Sequence, residues 1–412
     1  PYAAPIQLDV EVGDRRSFRV CSDISCSAPA DFASVTGEVK YAGTKAIIYQ
    51  DVQAPAGGLA PHDFDELGAL FDLDLYDVVA RTYGSESDID RNGRVIILMT
   101  PVVNGLTERS ECSTSFITGF FFPLDLESSA SNDSRSNQAE IFYALTPDPD
   151  GTVSCDHSVD RIKRLVPVTF VHEFQHMINF NQHRLLRGSN SEQTWLNEAM
   201  SHMAEEQAAL HFEALGDSSR FTAFALGDLF NAYDYLAATE QHFPLYSEGT
   251  GSLEERGATW LLLRWLVDQK GDEVLRRLSE TGLVGTANLE SAAGEPLSKI
   301  LADWFLANYV SHHPDLNSVP ARLRYSTWDF RSTYGDLHAQ DPSLFPEPFP
   351  ILPRVFNGGE FDVTGTLGSG SGAYYRVVQV AGRRGFTVEL LDSSGNPLTG
   401  PLEPRLNVIR IK

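Results

Sequence analysis

The stretch Val171-His-Glu-Phe-Gln-His-Met-Ile-Asn-Phe180 contains the pattern H-E-x-x-H, with its histidines at positions 172 and 176. On an α-helix, residues four apart lie on the same face, so both imidazoles can bind one ion, with nitrogens about 2.0–2.1 Å from zinc. Glu173 projects beside this pair, where a carboxylate can take a proton from a metal-bound water. The stretch therefore predicts a helix that carries two metal ligands, His172 and His176, and a general base.

These histidines can also have an ordinary structural role, because helical histidines are often surface residues or are buried and hydrogen-bonded. Apolar residues around them indicate a buried helix; they are Val166, Val168, Phe170, Val171, Met177, Ile178 and Phe180. Buried histidines beside a carboxylate cost free energy unless they are paired or bind metal, so this setting favours a metal site. Pro167 within the pattern predicts either the first turn of the helix or a kink.

A second predicted helix covers residues 194–206 and supplies a third candidate ligand, Glu198. Glu198 lies among the apolar residues of this helix, which are Trp195, Leu196, Ala199, Met200 and Met203. It follows His176 by 22 residues, a gap that suits a reversal of direction and a second helix crossing the first. A buried carboxylate beside two histidines completes a His2Glu zinc site with the fourth position left for water. Alternatively, Glu198 caps the helix or pairs with an arginine.

The two segments together resemble the gluzincin metallopeptidases, in which H-E-x-x-H is followed after a short gap by a glutamate ligand. Within this group the chain resembles the hyicolysin family more closely, through the sequences His-Glu-Phe-Gln-His-Met-Ile and Trp-Leu-Asn-Glu-Ala-x-Ser-His-x-Ala-Glu-Glu. The resemblance covers about 35 residues strongly and extends weakly over residues 40–310. It implies that His172, His176 and Glu198 bind one catalytic Zn²⁺ and that Glu173 is the general base. It also implies a zincin-type α+β catalytic domain, in which the active-site helix lies between a mixed β-sheet subdomain and a helical subdomain.

One position departs from the thermolysin-like pattern. Those enzymes carry an aspartate four residues after the glutamate ligand, where this chain has His202. A carboxylate usually orients a ligand histidine from behind. Here that carboxylate must come from elsewhere, and Glu205, Glu206 or a backbone carbonyl are the alternatives.

Peptide hydrolysis also needs a donor for the oxyanion that forms on the scissile carbonyl. The candidates are Tyr246, His242, Tyr235, Tyr233 and His202. In the aminopeptidase branch of the gluzincins, a tyrosine precedes a Lys-Gly helix start, and Tyr246 precedes Arg256-Gly257 by a longer gap. We choose Tyr246 on this resemblance; ordinary packing is its alternative role.

Composition and periodicity divide the 412 residues into three predicted parts. Residues 1–42 alternate as an N-terminal β unit, residues 43–345 form the catalytic domain, and residues 346–412 follow prolines and alternate as a small β-sandwich-like module. The predicted strands are residues 6–12, 17–20, 34–41, 45–51, 94–100, 116–124, 138–145, 359–365, 373–380, 385–391 and 407–411. The further predicted helices are residues 62–83, 220–235, 257–268, 273–278 and 297–309. This pattern indicates an α+β protein flanked by small β modules.

The formal net charge is −24, from 56 acidic and 32 basic residues. Such a charge disfavours nucleic acid and anionic membranes as partners, and the apolar runs are too short to cross a bilayer. Four cysteines, Cys21, Cys26, Cys112 and Cys155, allow three pairings. We favour disulfides Cys21–Cys26 and Cys112–Cys155 in an oxidising compartment, the larger loop contributing about 4 kcal/mol in the chain-entropy model; four reduced thiols are the alternative.

The stretch Asp88-Ile-Asp-Arg-Asn-Gly93 resembles the first half of a calcium-binding loop, with oxygen ligands at alternate positions and then a glycine. The glutamate expected six residues after the glycine is missing, because Met99 holds that position. The pattern therefore favours a solvated turn before a strand, and Ca²⁺ is possible but not predicted.

The function predicted from these features is zinc-dependent hydrolysis of peptide bonds by a secreted, monomeric endopeptidase that acts on protein or peptide substrates. If the strand at residues 138–145 is the sheet edge at the site, as the gluzincin resemblance implies, it can pair with an extended peptide. The alternatives are a zinc hydrolase for another bond, such as an ester, and a secreted binding protein that keeps a peptidase scaffold without activity.

Overall fold

A computed structural model describes residues 10–246, 249–358, 361–368, 370–379, 382, 385, 387–398 and 405–411. The strands are β1 (Arg15–Cys21), β2 (Phe32–Ala42), β3 (Ala46–Asp51), β4 (Val95–Met99), β5 (Gly119–Phe121), β6 (Ile141–Ala144), β7 (Arg354–Phe356) and β8 (Tyr375–Val377). The first helices are α1 (Pro61–Leu70), α2 (Tyr76–Tyr83), α3 (Pro101–Asn104), α4 (Val159–Phe180), α5 (Thr194–Ala214) and α6 (Ser218–Ala237). The remaining helices are α7 (Leu253–Lys270), α8 (Glu273–Ser279), α9 (Gly285–Ala293), α10 (Leu297–Val310) and α11 (Phe330–Gln340).

Six strands form one mixed sheet in the order β1-β2-β3-β4-β6-β5. The parallel neighbours β3, β4 and β6 form its centre, and β1, β2 and β5 add antiparallel pairs. β4 (VIILM) is buried at every position, as expected for a parallel strand covered on both faces. This sheet and the following helices confirm the predicted α+β class, whereas the predicted boundaries at residues 42/43 and 345/346 stay a prediction.

The edge of this sheet differs from the expectation. The strand predicted at residues 138–145 forms β6, which lies between β4 and β5, and the edge strand is β5. Phe120 of β5 pairs with Tyr143 of β6, and their rings stack with centroids 4.7 Å apart. The prediction was wrong because strand order depends on pairing between distant segments, which the local alternation of residues does not encode.

α4 begins earlier than the apolar pattern indicated. Ser158 caps its N-terminus, accepting a hydrogen bond from the Arg161 backbone N–H at 3.2 Å. Pro167 consequently lies inside the helix, so the first-turn alternative for this proline is wrong. The helix is fixed by aromatic packing, with Phe71 against Phe170 and Phe174 at centroid distances of 6.2 and 5.4 Å.

The described chain forms two compact units. The first consists of the described residues up to Glu192, with Met200–Leu226 and Leu275–Leu283. The second consists of Gln193–Ala199, Gly227–Val274 and the described residues from Val284 onward. The first turns of α5 are thus grouped with the second unit and the rest of this helix with the first. α5 is one continuous helix.

Within the second unit, α6 and α7 approach closely at a glycine. A Cβ built on Gly257 of α7 would lie 2.3–2.5 Å from backbone atoms of Asn231 and Ala232 on α6. Only glycine therefore fits at this crossing without a shift of one helix. Gly257 follows Arg256 directly, so the crossing also fixes the position of Arg256.

Both favoured disulfides are confirmed, since Cys21 pairs with Cys26 and Cys112 with Cys155. Of the C-terminal strand predictions, residues 373–380 contain β8, which pairs in parallel with β7. Residues 361–365 and the described parts of 385–391 and 407–411 contain no extended strand, and residues 359–360, 380 and 386 lie outside the described residues. Residues 6–9 also lie outside them. None of the described helices combines the length and apolarity needed to cross a bilayer.

Candidate metal centre

Two histidines of α4 and one glutamate of α5 come together. One nitrogen each of His172 and His176 and one oxygen of Glu198 all lie within 4.8 Å of one another. The histidines are adjacent because they are four residues apart on a helix, and their rings lie 4.8 Å apart at 84°. The three predicted ligands thus meet at one place, and two imidazoles with one carboxylate are a donor set that suits zinc.

Glu173 follows His172 on the same helix and is 6% exposed. A carboxylate in this position is buried next to the candidate ligands without belonging to the cluster that they form. This placement is the one that the sequence predicts for a general base. Its role stays a prediction.

A second cluster, which consists of His172, His202 and Glu205, shares one histidine with the first. The Nδ1 atom of His172 lies 2.6 Å from Oε1 of Glu205. Two ligands of one tetrahedral zinc ion are separated by about 3.3 Å at the usual bond lengths, so 2.6 Å is a hydrogen bond rather than shared coordination. Glu205 therefore binds Nδ1 of His172, and Nε2 is the nitrogen that could bind a metal.

The ionised state of Glu205 supports this assignment. Burial opposes ionisation, but the charges and hydrogen bonds of His202 and His172 lower the pKa of Glu205 below its usual value. The carboxylate is thus an acceptor at neutral pH. His202 lies one turn before it on α5, with Nδ1 3.2 Å from Oε1. Among Glu205, Glu206 and a backbone carbonyl, the alternatives that the sequence analysis left open, Glu205 is the group that hydrogen-bonds to His172.

His176 has a different neighbour. Its Nδ1 lies 3.1 Å from Oγ of Ser201, and the Ser201 hydroxyl donates to Oε1 of Gln175 at 2.6 Å. Ser201 Oγ also lies 3.4 Å from Nε2 of the same ring, so this hydroxyl contacts the imidazole without selecting one of its two nitrogens. The sequence analysis gave Ser201 no role, although the serine stands in the Asn-Glu-Ala-x-Ser segment.

Glu198 is 8% exposed, and its Oε2 lies 3.2 Å from Nη1 of Arg256 in the first turns of α7. The arginine pairing that was the alternative role of Glu198 is therefore present in the structure. It does not exclude metal binding, since a carboxylate has two oxygens with about four lone-pair positions. Arg256 therefore supplies a positive charge beside this carboxylate.

Tyr246 lies near Glu198. Burial raises the pKa of Tyr246, with a further contribution from the negative charge of Glu198. The hydroxyl is buried and hydrogen-bonds to no described residue. Its ring packs on Gly251, where a Cβ would lie 2.5 Å from the ring. Tyr246 is thus a buried, protonated phenol close to a candidate ligand, and its role as oxyanion donor stays a prediction.

The other candidate donors differ from Tyr246. The Tyr233 hydroxyl is occupied, because it donates to the backbone carbonyl of Glu347 at 2.9 Å and accepts from the Glu347 N–H at 2.6 Å. Tyr235 stacks on Trp304 with ring centroids 6.0 Å apart, and His242 lies beside Tyr235 at 6.3 Å. His202 binds Glu205. Among the three tyrosines, the charge of Glu198 is a cause of the raised pKa of Tyr246 but not of Tyr233 or Tyr235.

The arrangement predicts that Glu205→Gln weakens zinc binding about 10- to 100-fold, because the neutral amide is a poorer acceptor for His172 Nδ1–H. Competition with a chromophoric zinc chelator measures the affinity. Glu213→Gln, an exposed change on the same helix, is the matched control and should bind zinc like the wild type.

The same assay shows which of the two clusters binds zinc. If zinc binds His172, His176 and Glu198, Glu198→Gln weakens zinc binding more than His202→Gln does. The reverse order, with no effect of Glu198→Gln, would show that His202 and Glu205 are themselves ligands.

The edge strand β5 lies beside α4. A Cβ on Gly119 would lie 2.5 Å from Cγ2 of Thr169, one turn before His172, and Phe121 packs against Phe180 with centroids 6.0 Å apart. The Leu145 N–H donates to the Thr118 carbonyl at 3.0 Å. Because hydrogen-bonded pairs alternate along an antiparallel ladder, Gly119 and Phe121 direct their backbone groups away from β6.

The chain is similar to a known protein over part of its length. The chain is 34% identical over 146 residues to "Neutral metalloprotease ShpI" of Staphylococcus hyicus. The match covers 35% of this chain and 30% of that protein. No protein-family model matches the chain.

Proposed function

We propose that this chain is a zinc metallopeptidase that hydrolyses internal peptide bonds of proteins and peptides. The convergence of His172, His176 and Glu198 within 4.8 Å carries the proposal. The similarity to a neutral metalloprotease over about a third of the chain supports it. The site matches the gluzincin pattern in ligand type, although His202 replaces the usual aspartate and Glu205 orients the first histidine.

The residues of the site have distinct tasks. His172, held by Glu205, and His176, held by Ser201, would bind the ion together with Glu198. When bound, zinc supplies Lewis-acid chemistry, which acidifies water and polarises a carbonyl. Glu173 takes a proton from the attacking water and delivers it to the departing amine. Tyr246 donates a hydrogen bond to the oxyanion that forms on the substrate carbonyl.

The substrate would extend along β5. The backbone N–H and C=O groups of Gly119 and Phe121 face no other strand of the described sheet, so an extended peptide can pair with them as an added strand. Recognition through backbone groups does not require a free terminus, which favours endopeptidase action. The two disulfides support an oxidising, extracellular compartment.

The proposal is tested on the purified 412-residue chain by metal analysis and by cleavage of casein, a peptide blocked at both ends and a matched ester. We expect one zinc ion per chain and cleavage of casein and of the blocked peptide. Folded protein without zinc, or cleavage of the ester without cleavage of either peptide substrate, would contradict the proposal.

A further inference from the structure

A second cluster of oxygen ligands lies on residues that the proposed peptidase mechanism does not use. Carboxylate oxygens of Asp88, Asp90 and Glu140 all lie within 4.8 Å of one another. Asp88 and Asp90 belong to the loop before β4, and Glu140 directly precedes β6. Since β4 and β6 are parallel neighbours, the loop and the glutamate meet where both strands begin.

This geometry supplies the ligand that the loop lacks in sequence. Met99, at the position expected for a glutamate, lies buried in β4. Glu140 takes its place from a different part of the chain, and its backbone is fixed to β4 because its carbonyl accepts from the Ile96 N–H at 2.7 Å. Asp88 and Asp90 therefore have a third carboxylate beside them, although their own loop lacks the expected glutamate.

The Glu140 carboxylate is an independent sign of a ligand. The residue is 1% exposed. Its Oε1 accepts from the Ser87 hydroxyl at 2.6 Å and from the Ile89 N–H at 2.8 Å, which holds the carboxylate against the loop between the two aspartates. Its Oε2 is buried and has no hydrogen-bond partner among the described residues. A buried charged oxygen without a partner is costly, and a bound cation removes that cost.

The negative charges of the cluster are only partly compensated by neighbouring cations. In the described part of the chain, no lysine or arginine forms an ion pair with Asp88, Asp90 or Glu140. Arg16 and Arg94 attract Asp90 from a longer distance, yet burial and the charge of Asp88 raise its pKa. Burial, with a contribution from Asp90, likewise raises the pKa of Glu140. The three carboxylates therefore repel one another in a partly buried position.

We propose that Asp88, Asp90 and Glu140 bind a calcium ion, which stabilises the end of the sheet where β4 and β6 begin. All three donors are hard carboxylate oxygens, which suit calcium rather than zinc. Calcium takes six to eight oxygen ligands in flexible geometry, and water and backbone carbonyls commonly complete its shell. The site shares no residue with the histidine cluster, so it does not depend on the proposed peptidase activity.

Asp88→Asn is the variant that tests this site. Asp88 is exposed, and its Oδ1 accepts from the Gly93 N–H at 3.0 Å, a bond that asparagine can keep. Asp23→Asn is the matched control, because Asp23 is exposed and its Oδ1 accepts from the Ser25 N–H at 2.9 Å. The zinc-loaded 412-residue proteins are titrated with CaCl2 by calorimetry, and their Tm is measured with CaCl2, with MgCl2 and without either salt.

We expect calcium to raise the Tm of the wild type by at least about 2–4 °C. Asp88→Asn should weaken calcium binding at least about tenfold, which corresponds to about 1.4 kcal/mol of binding free energy. Without calcium, Asp88→Asn should unfold at the same Tm as the wild type or higher, because it removes one of three repelling charges. Asp23→Asn should respond to calcium like the wild type. Glu140→Gln, which keeps one acceptor oxygen, should lose the calcium response as well.

Several results would overturn the proposal. Calorimetry that detects no calcium binding would contradict it, and so would a rise in Tm with magnesium as large as the rise with calcium. If Asp88→Asn kept the full calcium response, calcium would bind elsewhere and not to this cluster. A lower Tm of Asp88→Asn in the absence of calcium would show that Asp88 serves only the turn.

Discussion

Glu173→Gln is expected to lower kcat/KM for a peptide substrate by about 10²–10⁴-fold, the usual contribution of a positioned general base. Glutamine has nearly the shape of glutamate but cannot take a proton from water at neutral pH. Glu173 is buried beside His172 and is not a member of the ligand cluster. Zinc content should therefore remain that of the wild type, which metal analysis and peptide cleavage on the same sample measure together.

The control for this change is Glu213→Gln, an identical substitution at an exposed position of α5, which should keep full activity. Loss of both zinc and activity in Glu173→Gln would mean that Glu173 supports the metal site instead of acting as the base. If Glu173→Gln cleaved the peptide as fast as the wild type, Glu173 would not be the general base.

Local periodicity predicted the elements that position the site. The 3.6-residue pattern around His172 and His176 placed both on one helix, and the apolar pattern around Glu198 placed it on the next helix. Buried strands were also predicted closely, since residues 94–100 contain Val95–Met99. These features depend on neighbours within one or two turns, and the sequence displays such neighbours directly.

Features that depend on contacts between distant segments were not predicted. The edge position of β5 arises from its pairing with β6, and the orientation of His176 depends on Ser201 in another helix. The sequence predicted Glu140 only as part of a strand. Its contact with the loop that contains Asp88 follows from the parallel pairing of β4 and β6. No local pattern specifies which strand lies beside which.

The helix crossing near Arg256 illustrates the same limit. The sequence shows an Arg-Gly pair, but only the structure shows that Gly257 allows α7 to approach α6 and that Arg256 pairs with Glu198 at 3.2 Å. The choice of Tyr246 depended on a loose similarity in spacing before this pair. In the structure the charge of Glu198 acts on the Tyr246 phenol, and the choice of Tyr246 stays a prediction.

Tyr246→Phe is expected to lower kcat by about 10²–10³-fold, the usual effect of removing one oxyanion donor, with a smaller change in KM. The phenol is protonated at neutral pH, because burial and the charge of Glu198 raise its pKa. Its hydroxyl makes no hydrogen bond to a described residue, so its removal leaves no partner unsatisfied. The Tm of the variant should therefore equal or exceed that of the wild type while kcat falls.

Tyr235→Phe is a closely matched control, because the Tyr235 hydroxyl is also buried without a hydrogen-bond partner among the described residues. Burial likewise raises the pKa of Tyr235 well above its usual value, but the charge of Glu198 does not contribute to this shift. Both variants lose the same buried oxygen, and only Tyr246→Phe should lose activity. Equal kcat values for the two variants would show that Tyr246 has only a packing role. Another residue would then have to be the oxyanion donor.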